Sequence, residues 1–198
     1  DLAMGQTKEL NLGAVVFNLP KELEKAGSSL AKHVMLVDAG SGETVVSVNN
    51  NNNGYYNLAP KAVLPGIYDV MFHYQWSETP TPVARNVVVE AGKETVVTLD
   101  SAFTFKKPEN TALTGYNLIP IDSGVVENSD EDESAPTVKA VLEGRPRFGS
   151  KDPLYFTYIV PAGKYRLDAT IEGMTEALPI APELEIKPGE TLEFNSGL

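Results

Sequence analysis

The sequence predicts an all-β protein made of two tandem antiparallel β-sandwich domains, 1–104 and 105–198. Three observations predict it. Short runs rich in Val, Ile, Thr, Tyr and Phe alternate with polar residues, and Gly, Pro, Asn and Asp separate them at close, fairly even spacing. One block of this pattern also occurs twice. At 198 residues the chain has room for one large or two small domains, and a 42% hydrophobic share is enough to build cores.

Taken in order, strands are expected near 12–17, 33–38, 43–49, 55–58, 67–76, 83–90 and 94–100. A short helix is expected at 20–26, where Asn18 can cap, Pro20 suits the first turn and Gly27 ends it. A second series of strands follows near 113–119, 137–142, 154–160, 164–172, 182–187 and 190–194. Alternation assigns faces. In 67–76, Tyr68, Val70, Phe72, Tyr74 and Trp76 share one side, while Asp69, Met71, His73 and Gln75 share the other. In the later strand Tyr165, Leu167, Ala169 and Ile171 point inward, and Arg166, Asp168, Thr170 and Glu172 point outward. A strand with one core face and one wetter face suits a two-sheet sandwich.

The repeat sets the domain count. LPGIYDV at 64–70 returns as VPAGKYRLD at 160–168, and VVVEAGKET at 87–95 returns as LEIKPGET at 184–191. Tyr68 to Tyr165 and Gly92 to Gly189 are both 97 positions apart, so the copies hold register across the block. Two copies are too few for a solenoid. They indicate two related domains joined near FTFKKPEN at 103–110.

The phrases HVMLVDAGSGETV (33–45), NNGYYNL (52–58), LPGIYDVMF (64–72) and NVVVEAGKETVVTL (86–99) carry a resemblance. Over about 33–99 the chain resembles the carboxypeptidase regulatory-like, or transthyretin-like, β-sandwich family. The second copy keeps only the later half of the pattern, from VPAGKYRLD onward. The resemblance implies Ig-like, transthyretin-like sandwiches in an exported protein, placed in the periplasm, at the cell surface or outside the cell. It further implies a non-catalytic structural or interaction role, such as a fibre subunit or adhesin. Such a module would meet a protein partner, or a second copy, through a strand-like N-terminal segment or an open sheet edge. The alternative class is a carbohydrate-binding module, with or without calcium.

Composition narrows the remaining chemistry. A net charge of −11 and scattered basic residues argue against nucleic acid as a partner. No apolar run reaches the ~20 residues of a membrane-spanning helix, so no membrane insertion is expected. Without cysteine there are no disulfides, thiolate zinc sites or cysteine nucleophiles. Ser29-x-x-Lys32 lacks the companion motifs of a β-lactamase, and no P-loop, GxSxG or HExxH occurs, so no enzyme is expected. His33 and His73 make only a pair, short of the usual three protein ligands of a zinc site.

Three features remain as candidate sites. ENSDEDESAP (127–136) crowds carboxylates of the kind calcium needs, with Asp130, Asp132 and Glu133 as candidate ligands and Ca²⁺ the one candidate cofactor. A solvated loop is the plainer reading. Tyr74 and Trp76, at the end of the long strand, would form a platform for sugar rings if exposed. The Asn run at 49–53 closes on Asn53-Gly54, a favoured hairpin pair, and DAGSGE (38–43) likewise reads as a hairpin turn.

Overall fold

A computed structural model of the protein describes residues 10–20, 31–49, 59–74, 79–106, 112–121, 140–144 and 157–196. These residues are all-β, with four sheets of three or four strands and no helix among them. The helix expected at 20–26 and the strand at 55–58 lie outside the described residues.

The first seven strands are β1 (Gly13–Asn18), β2 (Ala31–Asp38), β3 (Thr44–Asn49), β4 (Lys61–Val63), β5 (Gly66–Tyr74), β6 (Thr81–Val89) and β7 (Glu94–Thr98). They form one sheet of order β4-β1-β7 and another of order β3-β2-β5-β6. The last seven are β8 (Ala102–Lys106), β9 (Leu113–Pro120), β10 (Leu142–Gly144), β11 (Thr157–Ile159), β12 (Gly163–Ile171), β13 (Leu178–Ile186) and β14 (Thr191–Asn195). They repeat the scheme as β11-β8-β14 and β10-β9-β12-β13. In both sets the first strand pairs parallel with the last and antiparallel with the fourth. No strand of one set pairs with a strand of the other among the described residues.

β8 runs unbroken through 104/105, and among the described residues it pairs only with β11 and β14, so the strand pairing passes from one set to the other at 99–101. The sequence signal for β8 is weak because Ala102, Phe103, Thr104 and Phe105 are all buried, which removes the alternation that marks a half-exposed strand. β4 has three residues, too few for any period to show.

Elsewhere the alternation holds. Tyr68, Val70, Phe72 and Tyr74 of β5 are buried in turn, and so are Tyr165, Leu167 and Ala169 of β12. Val15 and Phe17 of β1 join Val34 and Leu36 of β2 in one hydrophobic cluster, so the two sheets of the first set share a core. Asp168 departs from its expected exposure and is 6% accessible. Arg166, two residues earlier on the same face, folds over it: Nε donates to Oδ1 at 2.9 Å and an Nη to Oδ2 at 2.8 Å. The guanidinium fork matches the carboxylate geometry and supplies the hydrogen bonds that burial of this charge requires.

The repeated phrase has one physical reason in both copies. Tyr68 donates its hydroxyl to the Leu64 carbonyl at 2.7 Å, and Tyr165 donates to that of Pro161 at 2.6 Å. Each ring folds back over the backbone to a carbonyl four residues upstream, much as in the tyrosine corner of immunoglobulin-like sandwiches. In the first copy a side chain two residues before the tyrosine would crowd the ring, since a Cβ on Gly66 would lie 3.2 Å from the Tyr68 hydroxyl, whereas one on Gly163 would lie 3.7 Å from the Tyr165 ring, an ordinary contact. Burial raises the pKa of both phenols, that of Tyr165 to about 12, and the charge of Asp38 adds to the effect at Tyr68.

The two sets touch through side chains. The Tyr74 ring of β5 meets the Tyr158 ring of β11 edge-on, with centroids 5.0 Å apart, and its hydroxyl donates to the Ile159 carbonyl. Ser101, in the link between the sets, donates its hydroxyl to the Lys187 carbonyl at 3.3 Å, and its backbone carbonyl accepts from the Val160 amide at 3.2 Å.

Candidate functional site

Tyr74 is 1% exposed, which corrects its assignment to a sugar platform. Its apolar ring and its hydroxyl are both satisfied at the contact with Tyr158 and Ile159, so it turns no face to solvent. Trp76 lies outside the described residues, as do Asp130, Asp132 and Glu133. A cleft beside the same contact is lined by Val83, Leu99, Ser101, Val160 and Pro188. Its volume of about 140 Å³ falls below the roughly 300 Å³ at which small-molecule sites begin.

The surface most distinct in its residue types is the outward face of the β3-β2-β5-β6 sheet, together with the edge where β3 ends it. The β2–β3 hairpin places that edge. Asp38 accepts hydrogen bonds from the Ser41 amide at 2.7 Å, the Ser41 hydroxyl at 2.9 Å and the Gly40 amide at 3.1 Å. These donors, those of Ser41 foremost, hold the Asp38 carboxyl below its ordinary pKa. Gly42 then turns the chain at φ 73°, a value that favours glycine. The expected hairpin at 38–43 is present, and Asp38 serves it rather than a ligand.

β3 reads TVVSVN, with neither proline nor charge. Val45 is 44% exposed, and Thr44 and Ser47 are exposed beside it. β3 pairs with β2 on one side, and among the described residues it ends the sheet.

Two strands in from that edge side, the register brings together residues far apart in sequence. His33 of β2 lies opposite His73 of β5, and Met35 lies opposite Met71 in the next outward row. The imidazole centroids are 5.8 Å apart with planes inclined by 30°. All four side chains are half-buried. Spacing in sequence could not show this, because residues 40 apart meet only through the antiparallel register. The nearest outward acid on β5, Asp69, accepts from the Asn86 amide at 2.9 Å and pairs with Arg85 at 3.7 Å. Among the described residues no three His, Cys, Asp or Glu side chains cluster as a metal site.

No family model, no curated protein and no solved structure matches the chain.

Proposed function

We propose that the chain is a non-catalytic structural or interaction protein of two tandem β-sandwich domains, which associates with a second copy of itself by strand pairing along β3. The tandem architecture is supported by the identical strand order of the two sets and by their shared tyrosine device. An extracytoplasmic setting, as a surface or fibre subunit, follows from the resemblance of 33–99 to transthyretin-like modules of exported proteins.

The observation that carries the reading is the state of the sheet edges. Natural proteins blunt open edges with short strands, prolines or charges. Among the eight end strands of the described sheets, β4, β10 and β11 have three residues each. β6 carries Pro82 and Arg85, β13 carries Pro179 and Pro182, β7 carries Glu94, and β14 carries Glu193. β3 alone has none of these guards. Among the described residues no strand pairs with β3 on the side away from β2, and the exposed Val45 is the apolar surface it offers to another strand.

Light scattering across a concentration series tests the proposal. The wild type should assemble as concentration rises, and Val45→Lys, which puts a charge on the edge without touching the core, should hold the chain monomeric. A wild type monomeric at every concentration, or an assembly indifferent to Val45→Lys, overturns pairing through β3.

A further inference from the structure

We propose that His33, His73, Met35 and Met71 bind one copper(I) ion on the outward face of the β3-β2-β5-β6 sheet. The site is independent of strand pairing along β3.

The first argument is concentration. The chain has two histidines and four methionines. Both histidines and half the methionines occupy a single two-by-two grid of facing positions on β2 and β5. The second argument is that the architecture does not demand them. In the second set the same register places Gly115 opposite Thr170 and Asn117 opposite Asp168. One sheet therefore carries four nitrogen and sulfur ligands where its counterpart, built to the same plan, carries none. A sheet needs half-covered outward residues, but it does not need these.

Geometry and chemistry then select the metal. Metal–imidazole bonds are about 2.0 Å, so two rings sharing one ion have centroids about 5 to 6 Å apart over tetrahedral to linear angles. The observed 5.8 Å lies within that span. Met35 and Met71 sit two residues along each strand, about 6.8 Å away, and an unbranched thioether with three rotatable bonds can lean over that distance. Thioether sulfur is soft and uncharged. It is a poor ligand for calcium or magnesium and adds little for zinc, whereas imidazole with thioether suits copper(I). Among the described residues the nearest outward carboxylate on β5, that of Asp69, is engaged by Asn86 and Arg85, and imidazole with thioether makes a neutral donor set for a monovalent ion. The ligands stand on paired strands, so the register holds the two sides of the site at fixed separation.

The full chain should be titrated anaerobically with copper(I), held reduced by ascorbate, against the chelator bathocuproine disulfonate. One equivalent should be retained, and X-ray absorption should show both imidazole nitrogen and sulfur in the copper shell. The Met35→Leu/Met71→Leu variant should lose the sulfur shell and at least tenfold in copper(I) affinity. His33→Gln/His73→Gln should abolish retention. Leu for Met conserves volume, and circular dichroism checks that the variants fold. The proposal is overturned if the wild type retains no copper(I), if its copper shell contains only nitrogen and oxygen, or if it binds zinc(II) more tightly. It is also overturned if the methionine variant retains copper(I) unchanged, since Met4 and Met174 would then supply the sulfur.

Discussion

Replacing Tyr74 probes the contact that couples the two strand sets. Tyr74→Phe keeps the ring against Tyr158 and deletes only the hydroxyl that serves the Ile159 carbonyl. Ile159 is 1% exposed, so water cannot replace the lost donor, and the cost should be about 1–3 kcal/mol. Tyr74→Ala also removes a fully buried ring and should cost about 3–5 kcal/mol. A double-mutant cycle with Tyr158→Leu should return a coupling of about 0.5–1.5 kcal/mol for the edge-on pair. Because Tyr74 belongs to β5 and Tyr158 to β11, the loss should also appear as reduced cooperativity. Urea unfolding followed by Trp76 fluorescence and by far-ultraviolet circular dichroism should coincide for the wild type and separate for Tyr74→Ala. A Tyr74→Ala cost below about 1 kcal/mol, with both probes still coincident, would refute the reasoning that this contact couples the sets.

Two further predictions concern the backbone. Tyr165→Phe should cost about 1 kcal/mol in urea unfolding at neutral pH by removing the hydrogen bond to Pro161. The Tyr165 pKa is raised to about 12 in the folded state, against 10.0 unfolded, so its contribution is complete below pH 10 and is lost as pH rises toward 12. The wild-type urea midpoint should therefore fall more steeply than that of Tyr165→Phe across that window, and equal slopes would contradict the assignment. Asn86 sits at φ 55° and gives its amide to Asp69. Asn86→Gly should leave the midpoint nearly unchanged, whereas Asn86→Val should cost about 1–2 kcal/mol because a β-branched residue is strained there.

Much of the fold was legible because one face of most strands is wet. The alternation of Tyr68, Val70, Phe72 and Tyr74 with Asp69, Met71 and His73 follows from a period of two, and it locates β5 without any tertiary information. β8 escaped because Phe103 and Phe105 are buried together with Ala102 and Thr104, and a strand buried on both faces has no period to read. The candidate site was less legible. Tyr74 and Trp76 share a strand face in the sequence, but whether Tyr74 meets water depends on β11, contributed from more than 80 residues away. His33 and His73 were visible as a pair in number only. Their separation of 5.8 Å is a property of the β2–β5 register.

Local chemistry was enough to determine an all-β chain, its turns and its internal repeat. Each rests on interactions within a few residues: alternation, the glycine two residues before the tyrosine, and a hydroxyl reaching a carbonyl four residues back. Tertiary structure decided where one strand set ends and the next begins, which aromatic is buried at their contact, which strands end the described sheets, and that two histidines and two methionines share a face. Those depend on pairing between strands distant in the chain. A shift of one residue in that pairing would send the same side chains to the opposite face.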